Sequence, residues 1–172
     1  MNLHRAFALG LLVGLPAWGC ASPSLARPTS EETRSLARTI RELYDAFGFE
    51  AGGQADWMTM SALFADGAVF VAPGDKKGVD EERFLGDFQE YCTTSPYART
   101  GLHERVLCIR ADVYGSIAHA YVSFEGHVPG EEQARTRGLD SLQFVRDGPR
   151  WLLVSFTTQY ERSGLPMPAR FL

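Results

Sequence analysis

The sequence is poor in lysine, in cysteine and in long apolar runs. Only Lys76 and Lys77 among its 17 basic residues are lysine, and 21 acidic residues leave a formal net charge of -4. A nucleic-acid binder carries a basic patch or stripe, so this balance argues against one. The three cysteines, Cys20, Cys92 and Cys108, form no CxxC and share no ligand spacing with a histidine, so neither a metal nor another cofactor is expected. Gly52-Gly53 lacks the spacing of a phosphate-binding loop. There is no internal repeat and no low-complexity tract. What remains is 172 residues, 45% of them apolar and 22% charged. These are ordinary values for a single globular domain and leave little room for a second.

The first 26 residues read as an address. His4 and Arg5 make a short basic start, and Ala6 to Leu15 is an uncharged apolar run too short to span a bilayer. Small residues follow at Gly19, Cys20, Ala21 and Ser22. Two cleavage modes fit. In one, the chain is cut before Cys20, which then carries lipid as in a bacterial lipoprotein, although Trp18 suits that signal poorly. In the other, an ordinary signal peptidase cuts after Ala21 or Ala26. An unprocessed apolar helix is the third reading. Residues 27–172 are expected to form one domain, exported to the periplasm or held at the membrane only through Cys20. In an oxidising compartment Cys92 and Cys108 are either joined or two buried thiols.

The rest of the chain switches from helical to strand period. Thr29-Ser30-Glu31-Glu32 has capping-box spacing and opens a helix whose apolar positions are Leu36, Ile40, Leu43, Tyr44 and Phe47. A second helix is predicted from about Asp56 to Phe64, with Trp57, Met60, Leu63 and Phe64 inward. A short strand, Ala68–Ala72, precedes Pro73-Gly74. Asp80 caps a third helix carrying Phe84, Leu85, Phe88 and Tyr91.

From Leu102 onward the pattern predicts antiparallel sheet. A two-residue turn at Gly115-Ser116 pairs Val113 with Ala118, Ala111 with Ala120, Ile109 with Val122 and Leu107 with Phe124. The opposite face pairs Asp112 with His119, Arg110 with Tyr121 and Cys108 with Ser123. A one-residue slip would mix the faces, so this segregation supports the register. A second hairpin turns at Asp147-Gly148-Pro149. A three-residue loop there pairs Phe144 with Leu152 and Leu142 with Val154. It leaves Ser141, Gln143, Trp151, Ser155 and Thr157 on a mixed face that is either solvated or buried in a dimer. Gly164-Leu165-Pro166-Met167-Pro168 is a tail that drapes over the domain through Phe171 and Leu172.

Three helices, one short strand and a long curved antiparallel sheet make an α+β domain. This order resembles the nuclear-transport-factor-2-like (NTF2-like), or SnoaL-like, superfamily, and most nearly an exported bacterial branch of it. The stretches that carry the likeness are Ile40-Arg41-Glu42-Leu43-Tyr44-Asp45-Ala46-Phe47, Asp56-Trp57 through Gly67-Ala68, Gly101-Leu102-His103-Glu104-Arg105, Ile117-Ala118-His119-Ala120-Tyr121, Arg137 through Gln143, and Arg146-Asp147-Gly148 with Trp151. They cover about residues 31 to 160 and are mostly core and turn positions, so they speak for fold more than for activity. The resemblance implies a cone-shaped cavity between helices and sheet, and often a homodimer through the sheets. The superfamily includes ketosteroid isomerase, scytalone dehydratase and polyketide cyclases beside many non-enzymatic binders, so fold does not settle function.

Polar residues on the helix-facing side are the candidates for chemistry, because a buried polar group needs a partner, water or ligand. The register puts His103, Arg105, Asp140 and Thr158 there, toward one end of the sheet, with Tyr44, Asp56 and Trp57 available from the helices to complete a ligand site. Asp140 is a candidate catalytic base if burial raises its pKa and Arg105 does not pair with it. A structural Arg105–Asp140 pair is the competing reading. On the mixed face, Glu104, His119 and Gln143 are candidate dimer-interface groups, and the His119–Asp112 contact needs no function. Three roles follow: an exported cavity domain that binds a small hydrophobic molecule, an isomerase, dehydratase or cyclase acting on a small carbonyl compound, and an envelope protein-interaction domain. Cavity shape separates them. An apolar pocket with an unpaired carboxylate favours the enzyme, a pocket plugged by aromatic rings the scaffold, and a pocket without titratable groups the binder.

Overall fold

The structure, a computed structural model, describes residues 30–172. The segment read as a signal, with Cys20, and the expected cap at Thr29 lie outside the described residues. Three helices, α1 (Ser30–Phe47), α2 (Trp57–Ala62) and α3 (Glu81–Thr94), pack on one six-stranded curled sheet. Its strands are β1 (Phe49–Glu50), β2 (Phe64–Val71), β3 (Gly101–Tyr114), β4 (Ile117–His127), β5 (Thr136–Asp147) and β6 (Arg150–Tyr160). They lie in the order β1-β3-β4-β5-β6-β2. This is the α+β cone expected from the sequence, with one difference. The sheet is mixed, because β2 runs parallel to β6 while the other neighbours are antiparallel. The parallel strand begins at Phe64, where the second helix had been expected to end, and is irregular between Phe64 and Val69, where Gly67 has φ +76°.

Local chemistry explains the helix starts. Asp56 accepts from the Thr59 backbone N–H, and Asp80 from that of Arg83, so each cap satisfies a donor that the first turn leaves open. Along α1 the apolar stripe Leu36, Ile40, Leu43, Tyr44 and Phe47 is buried against the sheet, and β3 is its main partner.

Two bulges decide which side chains face the helices. The β3–β4 pairing runs as expected from Val113–Ala118 to Cys108–Ser123, and then the register shifts. Leu107 is the extra residue, and Val106, not Leu107, pairs with Phe124. A bulge flips every side chain beyond it to the opposite face. The β5–β6 turn has two residues rather than three, so Asp147 pairs with Arg150 and Phe144 with Leu153. Trp151 therefore turns inward and is 1% exposed, contrary to its expected place on the mixed face. A second shift, at Val154, restores the expected parity, with Leu142 opposite Phe156 and Asp140 opposite Thr158. The inner face thus consists of cross-strand rows: Val113–Ala118–Phe144–Leu153, Ala111–Ala120–Leu142–Phe156, Ile109–Val122–Asp140–Thr158 and Val106–Phe124–Gly138–Tyr160. The first two rows are almost wholly apolar and pack under the helices. The polar groups enter in the later rows.

Candidate functional site

A cavity of about 300 Å³ opens where α3, the segment after β2 and the later rows of the sheet diverge. Its walls are aromatic: Phe47 from α1, Phe70 from β2, Phe84, Phe88 and Tyr91 from α3, and Phe124 and Phe156 from the sheet. Phe70, Phe84, Phe88 and Tyr91 stack nearly parallel along one wall, with interplanar angles of 10°, 4° and 11° between neighbours. The helical spacing of residues 84, 88 and 91 makes this ladder, since positions three and four apart share a helix face. Exposed Ala72, Pro73 and Asp75, together with Asp87 of α3, form the rim.

Two carboxylates reach this apolar space. Asp140 lines it and is 1% exposed. The Tyr44 hydroxyl of α1 donates to Asp140 Oδ2, while Oδ1 has no hydrogen-bond partner among the described residues. Burial pushes the Asp140 carboxyl up to about 7, against the opposing pull of the nearby Tyr44 and Thr158 hydroxyls. Glu104 also lines the cavity, deep in the protein yet open to its space. Burial, reinforced by the charge of Asp140, pushes it up to about 8. Near neutral pH the two acids therefore hold at least one proton between them. The Tyr44 phenol is held well above its ordinary value by burial and by Asp140, so it stays a donor.

The expected site residues divide between the two faces. Asp140, Thr158 and Tyr44 come together as expected. His103 and Arg105 do not: beyond the Leu107 bulge they face outward, where His103 Nε2 meets Glu50 Oε1 at 2.9 Å and Arg105 Nη2 meets Glu125 Oε2 at 2.7 Å. The same flip brings Glu104 off the expected dimer face and into the cavity. Sequence reasoning placed Glu104 on the wrong side because the hairpin pattern was extended without a break. The signal that pointed to a bulge was the run Val106-Leu107, two adjacent apolar residues where strict alternation calls for one. Asp56 is an exposed cap that also accepts from Thr59 Oγ1 at 2.7 Å, and Trp57 packs on Phe88 and donates to Gln54. Neither lines the cavity. His119 and Gln143 are on the outer face, where the His119 ring lies 3.0 Å from Ser141 Oγ and edge-on to Tyr121.

Part of that outer face is covered by the tail. Ser123 Oγ donates to the Phe171 carbonyl, Arg110 to that of Arg170, and the Phe171 ring rests on Tyr121. Cys92 and Cys108 are both free. Among the described residues there is no group of three or more His, Cys, Asp or Glu side chains placed to hold a metal.

With this geometry established, comparison with known proteins is informative. The profile of the SnoaL-like domain matches residues 40–158. A protein of unknown function with a cystatin-like fold from Nostoc punctiforme superposes with a TM-score of 0.63 at 12% identity, over 78% of this chain and 95% of its own. A protein from Streptomyces avermitilis, provisionally assigned as a dehydratase of the NTF2-like family, gives a TM-score of 0.59 at 15% identity, over 76% of this chain and 96% of its own. One from Parabacteroides distasonis, provisionally assigned as a ketosteroid isomerase, gives 0.52 at 11% identity, over 74% and 86%. At these identities the structural likeness speaks to fold alone. No curated protein matches.

Proposed function

The chain belongs to the SnoaL-like domain family, and from that premise we propose that its cavity is the active site of a proton-transfer enzyme, of isomerase, dehydratase or cyclase type, acting on a small and mainly apolar carbonyl compound. The observation that carries this reading is the state of Asp140. It is buried, faces an apolar cavity, and has no cation among the described residues to hold it ionised; Arg105, the competitor for it, is bound to Glu125 on the other face. A carboxyl held near 7 is matched to taking and returning protons at neutral pH.

The roles follow from the two environments. Asp140, the lower of the pair, ionises first, and its unpartnered Oδ1 takes the proton from the carbon beside the carbonyl. The electrons of that C–H bond move into the carbon–carbon bond of an enol. Glu104, still protonated, donates to the carbonyl oxygen. Tyr44 holds the other Asp140 oxygen and so fixes the carboxylate's orientation. Return of the proton to a different carbon completes an isomerisation, and loss of a neighbouring hydroxyl as water completes a dehydration.

The test is deuterium exchange at the α-carbon of 2-tetralone, a two-ring apolar ketone, in D2O. The protein is expected to accelerate it, and Asp140→Asn to lower the rate by about 10²–10⁴-fold with the fold intact. No acceleration by the native protein, or an undiminished rate in the variant, refutes the proposal. A non-catalytic binding role is the second reading, favoured by the aromatic ladder, which supplies affinity without any proton transfer. The envelope location is part of the proposal and rests on residues 1–26 of the sequence; mass spectrometry of the native protein tests it by reading the cleavage point and any lipid on Cys20. We also propose self-association through the uncovered outer face near His119 and Gln143, because Tyr114 and Ile117 beside them are 85% and 56% exposed. Sedimentation at micromolar concentration reads it.

A further inference from the structure

The charges inside the cavity are of one sign. Asp140 and Glu104 stand inside it, and no Lys, Arg or His lines it among the described residues. At the rim Asp87 is paired with Arg83 at 2.9 Å, and Asp75 stands free of any ion pair among the described residues. Lys76 and Lys77 follow Asp75 in the same exposed segment, but neither lines the cavity. The guanidinium groups of Arg105 and Arg137, on β3 and β5, are committed to Glu125 on the opposite face. Among the described residues, the other polar side chains that line it or touch its acids are the hydroxyls of Tyr44 from α1, Tyr91 from α3, Thr136 from β5, and Thr158 and Tyr160 from β6, beside the rim carboxylates.

We infer that the carbonyl compound this cavity takes is also an organic cation, an apolar body bearing a protonated amine. The inference deepens the proposed function and rests on its premise that the cavity is the ligand site. Its first support is the orphaned Asp140 Oδ1, an acceptor in a residue 1% exposed that lacks a donor. A buried polar atom without a partner costs free energy that a ligand donor recovers. An ammonium group is such a donor and carries the charge that a cavity with two acids and no base lacks. Its second support is the wall. Aromatic faces attract cations through their quadrupoles, and more strongly when water is excluded. Phe84, Phe88 and Tyr91 bring three aromatic rings to the same cavity that holds the carboxylates.

A matched pair of probes tests this. 2-Aminotetralin, protonated between pH 6 and 9, and 2-tetralone share one ring system and differ at the group of interest. Calorimetry on the intact protein at pH 8 is expected to show the amine binding at least about tenfold tighter. The pH dependence has opposite signs for the two. Binding an ammonium requires the acid pair to give up a proton, so amine affinity rises by up to about tenfold per pH unit from pH 6 and levels off near pH 8. The ketone accepts from a protonated acid, so its affinity falls over the same range. Glu104→Gln, which removes a charge and keeps a donor, is expected to weaken the amine about tenfold and to flatten the pH dependence of ketone affinity. If the ketone binds as tightly as the amine at pH 8, or if amine affinity falls as pH rises, the cation inference fails and the proton-transfer reading stands. If neither probe binds, both fail together.

Discussion

The outer and inner faces of the same end of the sheet treat carboxylates in opposite ways. On the outer face Glu125 of β4 sits in one cross-strand row between Arg105 of β3 and Arg137 of β5, and His127 is a third partner at 3.2 Å. These donors hold its carboxyl down at about 2 although it is only 5% exposed. On the inner face Asp140 and Glu104 meet no cation, and burial holds them up at about 7 and about 8. Both environments are buried. The difference lies in the counter-charges, and it teaches that burial alone does not make a carboxylate a candidate for chemistry. A carboxylate fixed in its ionised form stabilises a fold; one poised near neutrality exchanges protons.

The largest expected effect follows from the opposite signs. A carboxyl whose folded value is raised contributes stability that is fully present below its unfolded value and is lost as pH rises through its folded value. For Asp140 and Glu104 that window runs from about pH 4 to about pH 7 and 8. Glu125 contributes stability that is present above its unfolded value and lost as pH falls toward about 2. Stability to denaturant is therefore expected to peak near pH 4 to 5 and to decline by a few kcal/mol by pH 8, at no more than about 1.4 kcal/mol per pH unit for each group. The double variant Asp140→Asn with Glu104→Gln is expected to flatten the alkaline side alone. A native protein equally stable at pH 5 and pH 8 would break the contrast between the faces.

Next in size is Glu125→Gln. It takes their shared anion from Arg137 and His127, leaving Arg137 only Glu161 at 3.5 Å, and is expected to cost about 2–3 kcal/mol at pH 7, with the inner-face exchange reaction unaltered. A smaller loss comes from Gly138→Ala. A Cβ at this inner-face position would lie 2.4 Å from Phe124 Cζ, so the ring that walls the cavity must shift. About 2 kcal/mol of stability and a change in probe affinity are expected. Smallest is Arg105→Ala, expected to cost under about 1 kcal/mol in thermal unfolding, because its side chain is 65% exposed and Arg137 remains on Glu125. A large loss of ketone exchange in Arg105→Ala would mean that Arg105 serves the cavity after all.

Much of the fold was legible because it rests on periodicity. The stripe from Leu36 to Phe47, the Asp56 and Asp80 caps and the turn at Gly115-Ser116 each follow from local chemistry that a sequence displays. The site was legible only in part. Asp140 follows from its pairing with Val122, and Thr158, placed on the inner face by a three-residue loop, stays there because the shorter turn and the Val154 bulge cancel in parity. Glu104 and Arg105 were exchanged because the Leu107 bulge has no such compensation.

The sequence by itself determined which residues are apolar, where helices start and that the later half pairs as hairpins, since these depend on neighbours in the chain. Tertiary structure alone decided which of two adjacent residues, Glu104 or Arg105, faces the cavity. That choice turns on one extra residue in a strand. The bulge is accommodated by how β3 bends around α1 and β4, contacts between residues far apart in the chain.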